Sequence, residues 1–276
     1  MISQRRQFIR AMVSTSALGV LSLAGAGRAA AVMAGTSPII AAAASLRFAL
    51  QDAAGAFRSE TGLPLRLNFG SSGNLARQIR QGAPFELFLS ADEEYALSLA
   101  RDGFTAGEGV RYALGQLVIF APGESPVRVD PELSGLREAL ARGDIKRFAI
   151  ANPDHAPYGR AAREALIHAG LWEALEPKLV FGENISQAAQ FTVSGSCEGG
   201  MISRSLAVAP RFAGRGRFVT ISAELHRPLR QRMVLMTGAG NSARAFFDYL
   251  QGPAARKIFD AGGFAQPGPR RKSGAE

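Results

Sequence analysis

The stretch from Phe69 to Asp92, FGSSGNLARQIRQGAPFELFLSAD, constrains this chain more than any other. A small, polar, glycine-bearing turn, Gly70-Ser71-Ser72-Gly73-Asn74, runs straight into Leu75 and Ile79 at helical spacing. That places Ser72 or Gly73 at a helix N-cap. Gly82-Ala83-Pro84 stops the helix, Glu86 to Ser90 reads as a short buried strand, and Ala91-Asp92 opens another helix. A helix N-terminus has unpaired N–H groups and a partial positive charge. Small residues let an anion approach those groups, and a serine hydroxyl adds a donor. The same residues also suit an ordinary N-cap in an α/β unit, so this stretch alone leaves both readings open.

The strand, turn, helix theme recurs along the chain. Ile39 to Ala43 predicts a buried strand, and Leu46, Ala49, Leu50, Ala53 and Phe57 predict a helix closed by Gly62. Leu63 to Phe69 is the second strand, and Asp92 to Asp102 is a helix. The resulting βαβαβα order marks a parallel, open α/β sheet. Tyr112 to Phe120 reads as one long apolar strand, after which the theme restarts. Phe148-Ala149-Ile150 is a strand, Ala151 to Gly159 a turn and Arg160 to Ala169 a helix. Leu179-Val180-Phe181 is a strand, Glu183 to Ser186 a turn and Gln187 to Val193 a helix. Further strands are expected at 199–203, 218–221 and 233–236, and a strong helix at Ala243 to Gln251. Trp172 and the Phe246-Phe247 pair are expected in the core.

Two similar units joined by extended segments, near 112–118 and 222–233, predict two lobes with a cleft between them. Ligands of open α/β sheets sit beyond the strand C-termini. The turns there are Ala43–Ser45, Phe69–Gly73, Ser90–Asp92, Ala151–Gly159 and Glu183–Ser186. They contain no lysine, so a ligand would be met by neutral donors: backbone N–H groups and the hydroxyls of Ser45, Ser72 and Tyr158. That suits a compact oxyanion better than a nucleotide, and no Gly-x-Gly-x-x-Gly loop is present.

The chain has 276 residues, enough for one large or two medium domains. Its first 31 residues read as a signal peptide rather than a domain. Arg5, Arg6 and Arg10 precede a moderately apolar run from Ala11 to Ala26, and Ala29-Ala30-Ala31 forms a cleavage site. Arg5-Arg6 with Phe8 and Ile9 resembles the twin-arginine export signal; a general secretory leader carrying two arginines is the alternative. No cysteine near the cleavage site invites a lipid anchor. The formal charge is +9; the leader holds four arginines and no acid, so the mature chain keeps +5. Arg270-Arg271-Lys272 lies in a Pro/Gly/Ser tail, 267–276, expected to be disordered. The remaining charge can steer small anions, but no basic patch interleaved with aromatics points to nucleic acid. Cys197 is the only cysteine, so there is no internal disulfide, and three dispersed histidines support no metal site.

At this point the residues carry a resemblance. Ala42-Ala43-Ala44-Ser45-Leu46, Phe69 to Ile79, Gly82-Ala83-Pro84 and Leu87 to Asp92 are similar to the periplasmic molybdate-binding proteins of ABC importers. So are Asn152-Pro153-Asp154-His155-Ala156-Pro157-Tyr158-Gly159, Gly182-Glu183-Asn184 and Phe246 to Leu250, in order, over about residues 38–265. The resemblance implies a two-lobed type II periplasmic binding protein fold, each lobe an open, mostly parallel sheet flanked by helices. Lobe 1 would comprise 36–113 and 231–266, and lobe 2 114–230. It implies a protein without enzymatic activity or cofactor that works as a monomer in the periplasm. Such a protein captures molybdate or tungstate and delivers it to a membrane permease. By position, the ligand-binding residues are Ala44, Ser45, Ser72, Ala91, Tyr158 and Ile185, the last through its N–H. Glu86 replaces the family's usual aspartate, Ser203 stands where some members place a ligand tyrosine, and Cys197 to Gly200 and Arg204 are atypical.

Other classes are less well supported by the residues. Asp154, His155 and Ser72 could be imagined as a hydrolytic triad, but no Gly-x-Ser-x-Gly elbow accompanies them. A regulator's effector domain would need a helix-turn-helix segment where the leader stands. Among tetrahedral anions, phosphate retains a proton that rewards a carboxylate in the site, and none of the six candidate residues is acidic. Sulfate against molybdate is a question of cavity size.

Overall fold

The computed structural model describes residues 37–267. The leader with its cleavage site near Ala31, and the Arg270-Arg271-Lys272 tail, lie outside them.

The first half runs β1 (Ile39–Ala43), α1 (Arg47–Thr61), β2 (Arg66–Gly70), α2 (Ser72–Arg80), β3 (Phe85–Ser90), α3 (Glu93–Arg101) and β4 (Val110–Gly115). The second follows as β5 (Leu117–Pro122), α4 (Ser134–Ala141), β6 (Phe148–Ala151), α5 (Pro157–His168), α6 (Trp172–Leu175), β7 (Leu179–Gly182), α7 (Ile185–Val193), β8 (Gly199–Ser203), α8 (Arg204–Ala207) and β9 (Gly216–Thr220). The chain ends with β10 (Leu229–Leu235), α9 (Asn241–Tyr249) and α10 (Pro253–Ala261).

These strands form two five-stranded sheets of matching order, β2-β1-β3-β10-β4 and β7-β6-β8-β5-β9. In each, three neighbouring strands are parallel and the fourth runs against them: β10 is antiparallel to β3 and β4, and β5 to β8 and β9. Both sheets are thus mixed but mostly parallel, with helices packed on them. The reversed strand in each is the one the chain supplies after passing between sheets. Central strands are apolar throughout, as strands covered on both faces must be: β1 is Ile-Ile-Ala-Ala-Ala and β5 is buried from Leu117 to Ala121. Phe246 is fully buried against Phe57, ring centroids 5.1 Å apart, and Phe247 and Trp172 pack on the same core.

Several boundaries differ from the sequence expectation. The apolar run 112–120 is two strands, because the chain changes sheets at Gln116; β4 pairs with β10, and β5 with β8 and β9. The run of apolar residues does not show such a break, since it continues on both sides of Gln116 and only the strand partners differ. Helix α5 starts at Pro157, not Arg160. Proline suits the first helical position because its missing N–H has no partner there and its φ is already helical. Tyr158 therefore belongs to the first turn of a helix. The cap of α2 is Ser71, one residue earlier than expected, and α7 begins at Ile185 behind the cap Asn184. Strand β10 begins at Leu229 rather than near 233.

Glu93 ties the end of the first half to the strands that join the sheets. It is buried at the start of α3 and bonds Arg111 of β4 through both carboxylate oxygens, at 2.6 and 2.9 Å, and Arg232 of β10 at 3.3 Å. Burial alone would raise its pKa, but the two arginines outweigh it and hold the carboxyl below its ordinary 4.5. Such a group stabilises the fold above the unfolded-state pKa, and the contribution disappears as pH falls through the lower folded value. Thermal melts of Glu93→Gln and the parent are therefore expected to differ most at neutral pH and to converge as pH falls below the ordinary glutamate value of 4.5 and through the lower folded one. Parallel melting curves across that range would contradict this account.

Candidate functional site

The strand C-termini of both sheets lead into helix starts that meet around one small cavity. Its wall is Ala43, Ala44 and Ser45 after β1, Gly70, Ser71 and Ser72 after β2, Ala91 after β3, Ala156, Pro157 and Tyr158 at the start of α5, and Ile185 at the start of α7. All six residues expected from the sequence, Ala44, Ser45, Ser72, Ala91, Tyr158 and Ile185, line it, and all are buried. The cavity is small, about 10 Å³, and among the described residues no charged side chain contributes to the wall. A space of that size lies far below the ~300–1,000 Å³ of pockets for drug-sized molecules, which favours a compact ligand.

Each element brings donors. The first N–H groups of a helix have no partner inside it. At α7, Asn184 Oδ1 accepts from the N–H groups of Ser186 and Gln187, 3.0 and 3.2 Å away, and not from that of Ile185. The hydroxyl of Ser72 accepts the N–H of Ala91 at 3.0 Å. Ala91 thus serves the site through Ser72: its own N–H is engaged, and the serine proton is left to donate elsewhere. The hydroxyl of Ser45 is buried and has no hydrogen-bond partner among the described residues. It faces the Tyr158 hydroxyl closely enough to lower that group's pKa without being aligned as a hydrogen bond. Burial dominates at Tyr158 and pushes its pKa far above the ordinary phenol value, so it stays protonated and remains a donor.

Contacts between the two halves surround the cavity. Gly73 N–H donates to the His155 carbonyl at 2.9 Å, and His155 Nδ1 lies 2.9 Å from Ser71 Oγ. A Cβ on residue 73 would sit 2.7 Å from that carbonyl and 2.8 Å from the Tyr95 hydroxyl, so glycine is what allows the approach. Ser186 Oγ donates to the Ala44 carbonyl at 3.0 Å, and Ser205 Oγ to that of Ser45 at 2.8 Å. Asn74 bonds the Glu183 carboxylate, and Arg160 pairs with Asp92 while lying over the Tyr95 ring.

His155 faces Ser71 and, at 3.6 Å, Glu183, so it is not arranged with Asp154 and Ser72 as a triad. Ser203 is not part of the wall. Its hydroxyl accepts from the N–H of Leu206 at the start of α8 and lies 3.0 Å from Ser205 Oγ, to which it donates, since the single Ser205 proton goes to the Ser45 carbonyl. Ser71 and Ala156, by contrast, are wall residues that the reading of the sequence did not single out. Both adjoin named residues, and only the position of the helix starts brings them in.

Known proteins place this arrangement. A model of the family described as bacterial extracellular solute-binding protein matches residues 39–265. The molybdate-binding protein ModA of Azotobacter vinelandii is 37% identical over 251 residues, 90% of this chain and 95% of that protein. ModA of Rhodobacter capsulatus is 36% identical, over 82% of this chain and 87% of its own. The solved periplasmic molybdate-binding protein of Azotobacter vinelandii superposes with a TM-score of 0.76 at 30% identity, covering 84% of this chain and all of that one. Matched along the whole span that forms both sheets and the cavity between their turns, the chain belongs to the bacterial extracellular solute-binding protein family.

Proposed function

We propose that this chain captures a tetrahedral oxyanion, molybdate or tungstate, in the cavity and delivers it outside the cytoplasm to the permease of an ABC importer. The observation that carries this reading is the Ser45 hydroxyl, buried without a partner in a small cavity whose wall offers donors and no charge. A buried polar group is normally bonded, and one left open at a cavity points to a ligand that completes it. Donors alone suit a fully ionised oxyanion, which offers only acceptors. The molybdate-binding names of the relatives support the same ligand. Ser45, Ser72, Tyr158 and the N–H of Ile185 are the proposed direct contacts, with Ala44 and Ala91 completing the wall. The lobes are taken as 36–113 with 231–266, and 114–230. An anion touching residues of both lobes favours the closed form, because it has more contacts there.

Calorimetry of the chain without its leader against molybdate, tungstate, sulfate and phosphate is expected to show far tighter binding of the first two. Equal or tighter sulfate binding would overturn the choice of anion.

The hydroxyls can be tested separately. A hydrogen bond to a charged ligand is worth about 1.5–3 kcal/mol, so Ser45→Ala and Ser72→Ala should each weaken binding roughly ten- to a hundredfold. Their effects without ligand should differ. Ser45 Oγ has no partner to lose, whereas Ser72→Ala strands the buried N–H of Ala91, a loss of about 1–3 kcal/mol of stability. Melting temperatures measured without anion should therefore fall for Ser72→Ala and hold for Ser45→Ala. Ser203→Ala is expected to lower stability through its lost cap while leaving affinity nearly unchanged; affinity loss equal to that of Ser72→Ala would show the second-lobe contacts to be misplaced.

A further inference from the structure

We propose that Gln231 and Tyr112, neither of which lines the cavity, fix the direction of the Tyr158 hydroxyl so that it can only donate into it. The inference rests on the oxyanion reading above and adds to it two positioning residues and a source of selectivity. Gln231 lies on β10 and Tyr112 on β4, the two strands paired beside the points where the chain changes sheets. Both are buried, Gln231 completely.

The directionality follows from the chemistry of the amide. A glutamine side chain has one end that accepts and one that donates. Tyr112 Oη donates to Gln231 Oε1 at 2.8 Å, which occupies the accepting end. The donating end, Nε2, is thereby turned to Tyr158 Oη, 3.2 Å away. Tyr158 then spends a lone pair on Gln231, and its single proton is left for the side facing Ser45 and the cavity. With the amide turned over, its oxygen would take the Tyr158 proton, and the tyrosine would present lone pairs to an anion. The other acceptor near Tyr112, the Ser90 carbonyl, is 3.4 Å away, so the shorter bond keeps the amide as described. Gly115 makes the arrangement possible, because a Cβ there would collide with the Tyr158 hydroxyl and stand 2.7 Å from Gln231 Nε2. The hydroxyl of Ser72 is treated in the same way by the Ala91 N–H. Both side-chain hydroxyls are therefore polarised toward the cavity. A site so set rewards an anion without a proton, because each of these hydroxyls has its own proton free to give.

The test is a double-mutant cycle read by calorimetry with molybdate on the chain without its leader. Gln231→Leu is expected to weaken binding about tenfold when Tyr158 is present, and by less than about twofold in a Tyr158→Phe background. Tyr112→Phe, which keeps the packing and frees the amide to turn, should behave alike and serves if Gln231→Leu fails to fold. Gln231→Glu, which accepts from both tyrosines, should bind more weakly than Gln231→Leu. Equal losses in both backgrounds for Gln231→Leu or Tyr112→Phe would overturn the proposal, since a merely structural role does not need the Tyr158 hydroxyl. Should the parent chain bind sulfate but neither molybdate nor tungstate, the choice of anion falls and the cycle is run with sulfate; if it binds tungstate alone, the cycle is run with tungstate. Binding of none of them by the parent overturns both readings.

Discussion

The constraint on which this structure depends is the supply of hydrogen-bond donors to a buried cavity that has no charged side chain in its wall. An anion brought out of water without a cation beside it must be met by dipoles that already point the right way. A hydroxyl is an uncertain donor, because it can rotate and accept instead. The neighbours of the site remove that freedom. The Ala91 N–H occupies Ser72, and the Gln231 amide occupies Tyr158. Burial keeps the Tyr158 proton in place, and the Ser45 hydroxyl is left with no internal partner.

The fold serves this constraint through repetition. Strands β1, β2 and β3 end in a few small residues at the cavity wall, and helices α5 and α7 begin at it. Two sheets of the same order put two sets of such ends opposite each other. Ser45, Ser72 and Ala91 follow β1, β2 and β3, while Tyr158 and Ile185 open α5 and α7. Because the wall draws on both sheets, its completeness depends on the contacts that join them. Those contacts include hydrogen bonds to the backbone carbonyls of Ala44, Ser45 and His155, the Arg160–Asp92 pair and the edge-on packing of Phe48 against Phe212. The hydrogen bonds among them have water as an alternative partner, so their net worth is modest.

The strands beside the crossings have a second role besides connection. β4 and β10 pair with each other, carry the arginines that hold Glu93, and present Tyr112 and Gln231 to the back of the site. One pair of strands thus couples the joint between the sheets to the direction of a ligand-facing hydroxyl.

Much of this was legible in the sequence. Strand, small turn and helix recur with clear apolar spacing, which determined the class of fold and the turns that form the site. Small residues at Ala43-Ala44-Ser45 and Gly70-Ser71-Ser72 leave room where β1 and β2 meet the cavity, and such a local requirement leaves a local mark. The start of α5 was less legible, because Pro157 is as compatible with a turn as with a first helical residue; only the folded chain puts Tyr158 inside the helix. The break at Gln116 left no clear signal, since apolar residues lie close on both sides of it and only the pairing partners, β10 for β4 and β8 with β9 for β5, separate the two strands. Ser203, a candidate by position, is taken up in capping α8, a bond that depends on where the strand ends. Gln231 and Tyr112 left no mark either, because a buried glutamine between two tyrosines is a pairing across 119 and 73 residues of chain. Which end of its amide faces which tyrosine is decided by tertiary contacts alone: local sequence can specify a helix start, but the direction of a hydrogen bond is set by the partner on the far side.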